Sequence, residues 1–255
     1  MGVIKILFLG SGTSTGVPVI GCRCRICCSS NPKNKRTRAS ILVTGEERNI
    51  LIDTATDLRF QALTYDINRI DAVFFTHAHA DHIHGIDELR SFNLLQGGPI
   101  PCYGSRETME TISSKFGYVF NGGGKNDWTP NLLVNMIDEV FDLYGIRVMP
   151  VTIFHGESKI LGYRMNNAAY ITDCSGMPDD SMDALRDMAL LILDATRYQP
   201  HAKHYGLTQA IDVIQELKPE RAVLTHLSHV FDHDQVNSEL PPGIELAYDG
   251  MEIII

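Results

Sequence analysis

The chain has 255 residues and a mass of 28.4 kDa, with 44% hydrophobic and 21% charged residues, a composition typical of a globular protein. Lys and Arg number 22 against 31 Asp and Glu, and the formal net charge of -9 argues against broad electrostatic binding to nucleic acid or anionic lipid. No stretch approaches the roughly 18 to 20 apolar residues that cross a bilayer, and residues 1–10 end without a cleavage site, so we expect a soluble chain without a leader or a membrane partner.

Short runs rich in Val, Ile and Phe, bounded by Gly, Asp or Asn, predict strands at 4–9, 40–44, 49–52, 72–76, 147–154, 168–172, 190–193, 222–225 and 252–255. Helical spacing predicts helices at 87–95, 107–116, 182–188 and 208–217, the last with Thr208 as its N-cap. Residues 97–101 and 121–129 are predicted surface loops. Because strands and helices interleave without a linker, we predict one layered α/β domain over residues 1–255.

Two pairs of segments resemble each other across the chain. Residues 49–53 are similar to 169–173, and residues 72–82 are similar to 222–233. In each half one strand ends in Asp and a later strand ends in Thr-His. The similarity is either a chance likeness of short apolar runs or the trace of two related halves that meet at a site.

One segment holds four potential metal ligands within six positions, directly after an apolar strand: His77, His79, Asp81 and His82. Imidazoles and a carboxylate this close would crowd one another unless a cation organised them, so the segment predicts a metal site. It resembles the H-x-H-x-D-H signature of the metallo-β-lactamase-fold hydrolases. The resemblance implies the α/β fold of that family, a four-layered αββα sandwich.

Three further ligands of that family each follow a strand, and the sequence offers His155, Asp173 and His226 in the same order. The resemblance implies two divalent ions, zinc or manganese, that share a hydroxide. The first ion would be held by the two leading histidines of the motif and His155. The second would be held by the Asp-His pair of the motif and His226, with Asp173 as the bridge.

Asp53 and Thr76 lie at strand ends and are candidates to orient ligand imidazoles. Asp53 could equally do no more than accept hydrogen bonds from backbone amides of a loop. The basic residues among positions 33–38 either receive an anionic substrate or form a solvated face.

Cys22, Cys24 and Cys27 are spaced too tightly for a secreted disulfide framework, which favours a reducing cytoplasm and a metal-binding knuckle. Together with His229 they resemble the structural zinc site of the carbon-phosphorus lyase accessory phosphodiesterases, a branch of the same superfamily. The resemblance implies a third, closed zinc site that ties a knuckle at about residues 20–38 to the wall of the active site. The alternative is a set of buried free thiols.

The same relatives have a histidine upstream of the last ligand that assists catalysis. By its spacing to His226, the equivalent residue is His204 rather than His201. His204 would donate a proton to the leaving alkoxide, because an imidazole titrates near neutral pH. The candidate catalytic residues are therefore His204 and the metal ligand Asp81.

The resemblance implies a homodimeric phosphodiesterase for a small, cyclic substrate such as a ribosyl 1,2-cyclic phosphate or a nucleoside cyclic phosphate. Two alternatives remain open: a tRNA 3'-processing endonuclease of the same fold, and a non-hydrolytic metalloprotein of cofactor biosynthesis. The tRNA enzymes carry a basic or glycine-rich arm, whereas residues 106–147 have no excess of positive charge, and long nucleic acid is not an expected partner. Non-hydrolytic relatives tend to lose metal ligands, whereas every ligand position is filled here.

Overall fold

The computed structural model describes residues 3–120 and 129–255. Its strands are β1 (Lys5–Gly10), β2 (Ser40–Gly45), β3 (Arg48–Ile52), β4 (Ala72–Phe74), β5 (Ile100–Gly104), β6 (Leu132–Met136), β7 (Phe141–Leu143), β8 (Ile146–His155), β9 (Ser158–Met165), β10 (Ala168–Ile171), β11 (Leu190–Asp194), β12 (Arg221–Thr225), β13 (Ile244–Leu246) and β14 (Glu252–Ile254). Its α-helices are α1 (Leu58–Thr64), α2 (Ala80–Ile83), α3 (Leu89–Gln96), α4 (Arg106–Lys115), α5 (Gly117–Phe120), α6 (Asp179–Ala184), α7 (Leu207–Leu217) and α8 (His233–Glu239), and Pro32–Asn34 and Ile86–Glu88 are 3-10 turns.

The strands form two seven-stranded sheets with the same topology. The first runs β14-β1-β2-β3-β4-β5-β6 and the second runs β7-β8-β9-β10-β11-β12-β13. In both sheets the first three junctions are antiparallel and the last three are parallel. The C-terminal strand β14 therefore completes the first sheet in the position that β7 holds in the second.

This topology relates the two halves of the chain, but only one of the two sequence similarities follows it. Residues 49–53 and 169–173 occupy matching positions, on and just after β3 and β10. Residues 72–76 begin on β4, whereas 222–225 lie on β12, whose counterpart in the first sheet is β5.

The two sheets and the helices outside them form four layers. Successive side chains of a strand point to opposite faces of its sheet, so each central strand packs against the other sheet on one face and against helices on the other. On β11, Leu190 and Ile192 join the core between the sheets, while Leu191 and Leu193 pack in a second core with Ile214 of α7. A third core joins the outer face of the first sheet to α1, α3 and α4. The predicted αββα sandwich is confirmed, and its central strands read as continuous apolar runs because both of their faces are buried.

The nine predicted strands are present, with end points shifted by a few residues. The predicted loop at 97–101 is wrong at its end, because β5 begins at Ile100 and pairs with β4 and β6. Strands β5, β6, β7, β9 and β13 and helices α1, α2, α5 and α8 are not predicted from the sequence. The polar and half-exposed positions of β6 and β9 hide the two-residue alternation.

Two helix boundaries also differ. Thr208 is not the N-cap of α7, because the helix begins at Leu207 after Gly206, whose backbone N–H donates to the Gln209 side chain at 3.0 Å. The helix predicted at 182–188 lies earlier, at Asp179–Ala184. Of the predicted loop 121–129, only Thr129 lies within the described residues. Within the described ranges no helix is both long and apolar enough to span a membrane.

Candidate metal centre

The predicted ligands meet where strands of both sheets end. His77 follows β4 of the first sheet, and His155, Asp173 and His226 stand at or just after the ends of β8, β10 and β12 of the second. His79 is the N-cap of the short helix α2, which carries the other two residues of the motif. The carboxyl ends of strands are a common place for ligands in layered α/β folds.

Three residues at these strand ends adopt a left-handed backbone: Asp53 (φ 63°), Asp173 (φ 54°) and His226 (φ 59°). Such a conformation is uncommon for residues other than glycine and costs on the order of 1–3 kcal/mol unless the surroundings enforce it. Backbone strain of this kind clusters at functional sites.

The first ligand group consists of His77, His79, His155 and Asp173, whose ligand atoms all lie within 4.8 Å of one another. The Nε2 atom of His77 is 2.9 Å from Nδ1 of His79 and 3.9 Å from Oδ2 of Asp173. His79 is exposed and the other three are buried, so the group is open to solvent on one side. A set of three imidazoles and a carboxylate fits a divalent ion with a free coordination position.

The second ligand group consists of Asp81, His82 and His226. The Nε2 atoms of His82 and His226 lie 3.2 and 3.3 Å from Oδ1 of Asp173, and Oδ2 of Asp81 lies 3.3 Å from Nε2 of His82. Asp173 thus presents one oxygen to each group. This is the placement that a bridging ligand requires.

Buried ring nitrogens provide an independent indication of a cation. The Nε2 atoms of His82 and His226 are buried and make no hydrogen bond within the described residues. Their Nδ1 atoms face Oδ2 of Asp53 at 2.8 Å and Oγ1 of Thr196 at 3.2 Å. A buried polar atom without a partner is costly, so unprotonated Nε2 atoms aimed at one point fit metal coordination.

The charged groups of the site also favour a cation. Burial lowers the pKa of His226, but the carboxylates of Asp173, Asp194 and Asp81 outweigh burial and raise the pKa to about 10. Burial raises the pKa of Asp81, but the adjacent imidazoles of His226 and His82 outweigh burial and lower the pKa. The carboxylates therefore favour a cation at the site, and protons and metal ions would compete for the same nitrogens.

The contacts expected of Asp53 and Thr76 are present. Asp53 is fully buried and accepts hydrogen bonds from the backbone N–H and the hydroxyl of Thr76, each at 2.8 Å, besides facing His82. The Thr76 hydroxyl lies 3.0 Å from Nδ1 of His77. One carboxylate thereby orients an imidazole in each ligand group.

His204 lies at the site and His201 does not. The His204 ring centroid is 4.9 Å from that of His155 and 5.0 Å from that of His226, whereas His201 is exposed and stacks on the outer side of His204. Nδ1 of His204 is 2.9 Å from Oδ2 of Asp194.

The sequence reasoning missed Asp194. This fully buried carboxylate ends β11 and also accepts hydrogen bonds from the backbone N–H of Cys174 at 3.0 Å and the hydroxyl of Thr196 at 2.9 Å. Oδ1 lies 3.6 Å from Nδ1 of His226. A signal was available, since Asp53, Asp173 and Asp194 each end a buried strand.

The knuckle residues also come together. The Sγ atoms of Cys22, Cys24 and Cys27 each lie 3.5 Å from Nδ1 of His229. A backbone hydrogen bond from Cys27 and a contact with His229 lower the pKa of the Cys24 thiol to about 6, so this sulfur is readily a thiolate. Four such atoms within 4.8 Å fit a closed tetrahedral zinc site.

Three of the basic residues at 33–38 are engaged by other groups of the protein, so they do not form a simple solvated face. Arg36 is buried and donates to the carbonyl oxygens of Ser228 and Phe231, and Lys35 donates to that of Cys27. Arg38 pairs with Asp57. Arg36 thereby fastens the knuckle to the loop after His226, whereas Arg38 joins it to the segment before α1.

Comparisons with known proteins agree with this geometry. Residues 48–227 match the model of the beta-lactamase superfamily domain, and the chain belongs to that superfamily. A solved diphosphatase of the PhnP family superposes with a TM-score of 0.93 at 39% identity, covering 99% of this chain and 97% of that one. Within the superfamily the chain is therefore close to the PhnP family, as the narrower resemblance predicted.

Other relatives carry different names. An octanoyltransferase of Porphyromonas gingivalis is 38% identical over 259 residues, covering 99% of this chain and 52% of that protein. A ribonuclease Z of Limosilactobacillus reuteri is 30% identical over 156 residues, covering 55% of this chain and 47% of that protein. The chain thus spans about half the length of these curated relatives. The zinc-bound PqqB of Methylobacterium extorquens shares the fold, with a TM-score of 0.79 at 20% identity over 98% of this chain and 99% of that one.

Proposed function

We propose that the chain is a dinuclear metal-dependent phosphodiesterase of the cytoplasm that acts on a small, cyclic phosphodiester, such as a ribosyl 1,2-cyclic phosphate or a nucleoside cyclic phosphate. The observation that carries the proposal is the pair of ligand groups that share Asp173, with His204 beside both of them. The two ions would be zinc or manganese, a third zinc would occupy the knuckle, and the protein would be a homodimer.

The residues have separate roles in this mechanism. Ions held by the two groups supply Lewis acidity and a nucleophilic hydroxide when bound. Asp81 is proposed as a ligand of the second ion and not as a proton carrier, because His82 and His226 engage its carboxylate. Nδ1 of His204 is hydrogen-bonded to the Asp194 carboxylate, so Nε2 is the ring nitrogen that can give a proton to the leaving oxygen.

The test is metal analysis of the purified protein followed by a substrate screen of cyclic phosphodiesters, diphosphates, precursor tRNA, lactams and thioesters. Diphosphates belong in the screen because a relative in the PhnP family is called a diphosphatase. His204→Ala should keep its metal content and lose about 100- to 10,000-fold in kcat on a cyclic phosphodiester. His201→Ala is the matched control and should stay near wild type.

The tRNA 3'-processing alternative is kept because of the ribonuclease Z match. Efficient processing of precursor tRNA together with weak hydrolysis of small phosphodiesters would reverse the ranking. A fully metal-loaded protein that hydrolyses none of the substrates would favour the non-hydrolytic alternative.

A further inference from the structure

The backbone of Thr196 lies between the loops that carry His204 and the ligand His226. Its N–H donates to the carbonyl oxygen of Tyr205 at 3.2 Å, and its carbonyl oxygen accepts from the N–H of Ser228 at 3.1 Å. Tyr205 directly follows His204, and Ser228 lies two residues after His226. Thr196 therefore joins the loop of the proposed proton donor to the loop of a metal ligand.

The buried side chain of Thr196 links the same two histidines. Its hydroxyl oxygen lies 2.9 Å from Oδ1 of Asp194 and 3.2 Å from Nδ1 of His226. A carboxylate only accepts hydrogen bonds, so the hydroxyl proton goes to Asp194 and the hydroxyl oxygen accepts from Nδ1–H of His226. The other oxygen of Asp194 is 2.9 Å from Nδ1 of His204. A chain of three hydrogen bonds thus connects the two imidazoles, and Nε2 of His226 keeps its lone pair for a metal ion.

A hydroxyl, a carboxylate and two imidazoles form the same arrangement at the end of the first sheet. The Thr76 hydroxyl lies 2.8 Å from Oδ2 of Asp53 and 3.0 Å from Nδ1 of His77, and Nδ1 of His82 is 2.8 Å from the same carboxylate oxygen. Both of these imidazoles belong to the ligand groups. In the arrangement around Thr196, one imidazole is a ligand and the other is the proposed proton donor. Thr76 is therefore the matched control for Thr196.

We propose that Thr196 is a positioning residue that couples the ion of the second ligand group to His204. Nδ1–H of His226 becomes a stronger donor when Nε2 binds a cation, and hydrogen bonds in a chain polarise one another. The Thr196 hydroxyl then donates more strongly to the carboxylate of Asp194, which retains less charge for its bond with His204. His204 therefore gives up a proton more readily when the second ion is bound. This inference rests on the proposed function, because it takes the metal ions and His204 as parts of one site.

Metal retention tests the link to His226. The purified zinc-loaded protein is titrated with a chelator and its bound zinc is counted. Thr196→Val keeps the backbone bonds but has no hydroxyl, and one ion of the metal centre should bind about 10- to 100-fold more weakly. Thr196→Ser, which keeps the hydroxyl, should restore binding to within about threefold of wild type.

The variant Asp81→Asn shows which ion is affected, because it disables the second ligand group. In this background Thr196→Val should have no further effect on the ion that remains. Thr76→Val should still weaken that ion, since its hydroxyl contacts His77 of the first group.

A double-mutant cycle in the same titration tests the link to His204. His204→Ala leaves the carboxylate of Asp194 free to bind the Thr196 hydroxyl more strongly, so the second ion should be held about two- to fivefold more tightly. In the Thr196→Val background the same replacement should have no effect. These measurements do not depend on turnover.

Turnover at saturating metal is the second readout. Thr196→Val should lower kcat on a cyclic phosphodiester about 3- to 10-fold more than on bis(p-nitrophenyl) phosphate, because p-nitrophenolate leaves without a proton. Thr76→Val should lower kcat on both substrates alike, since its hydroxyl contacts no proton donor of the proposed mechanism.

Unchanged metal retention in Thr196→Val would overturn the inference. An effect of His204→Ala on the second ion that persists without the Thr196 hydroxyl would also overturn it, and so would equal losses of kcat on both substrates. A wild-type protein that hydrolyses none of the substrates would contradict the proposed function instead. In that case the double-mutant cycle on zinc retention still decides whether the two histidines are coupled.

Discussion

Replacing Asp194 by asparagine should weaken the action of His204 while preserving the fold. The carboxylate accepts three hydrogen bonds at 2.9 to 3.0 Å, from His204, Cys174 and Thr196. The amide oxygen of Asn can keep the first two, and the Thr196 hydroxyl can rotate to accept from the amide nitrogen. Asparagine replaces the charged acceptor of the hydrogen bond from His204 by a neutral one, which weakens this bond by about 1–2 kcal/mol. If the full difference appears in the activation free energy, kcat should fall about 5- to 30-fold.

Alanine at the same position should do more damage. Asp194→Ala leaves the buried N–H of Cys174 and Nδ1 of His204 without a partner, at about 1–3 kcal/mol for each group, and we expect a clear loss in thermal stability. Asp194→Asn is therefore the informative variant. Metal content is measured alongside, since Oδ1 of Asp194 also lies 3.6 Å from Nδ1 of His226.

The assay is a double-mutant cycle with His204→Ala, using a cyclic phosphodiester and bis(p-nitrophenyl) phosphate. If Asp194 acts through His204, Asp194→Asn should cost nothing further once His204 is alanine. The loss should also shrink with p-nitrophenolate, which leaves without a proton. A full additional loss in the His204→Ala background, or an equal loss on both substrates, would refute this reasoning.

Two further predictions concern the knuckle and the helix α8 beside it. Cys24→Ser should lose about one zinc ion per chain by elemental analysis and unfold at a lower urea concentration than the wild type. Cys28→Ser, outside the ligand group, should retain all its metal. Full metal content in Cys24→Ser would contradict the zinc site. Burial, Lys33 and Arg36 lower the pKa of His233 to about 4 in the folded protein. Between pH 4 and 6.5 the unfolded chain therefore binds more protons than the folded one, and the folded state loses stability as the pH falls through that range. Urea unfolding should show a loss of about 2 kcal/mol from this residue between pH 8 and pH 5. His233→Asn should show a correspondingly flatter pH dependence, and equal slopes in both proteins would disprove the assignment.

The ligand set could be predicted from the sequence because its signal is local. Four ligand residues crowded into His77–His82 would repel and perturb one another without a metal ion. Asp173 and His226 follow strands that are buried on both faces, whereas His155 ends β8, whose residues are alternately buried and more exposed. Strands with one exposed face, such as β6, carry no such continuous run. The N-cap of α7 was misplaced because the side chain of Gln209, and not of Thr208, satisfies the first turn.

The position of Asp194 at the end of a buried strand is a signal in the sequence, but its role could not be predicted from that signal alone. A single aspartate at a strand end can cap a helix, bind loop amides or orient another side chain, and its contact with His204 depends on how the loop between β11 and α7 folds back. This contact arises from tertiary structure alone.

The position of β14 at the edge of the first sheet affects the order of folding. Its residues pair with β1 at the opposite end of the sequence, from Lys5 with Ile254 to Leu7 with Glu252, and the backbones of Ile4 and Ile255 exchange two hydrogen bonds at 2.9 and 3.0 Å. The first sheet therefore remains one strand short until residue 254 has left the ribosome. Contacts of such sequence separation slow folding, so completion of the first sheet should be a late step in folding.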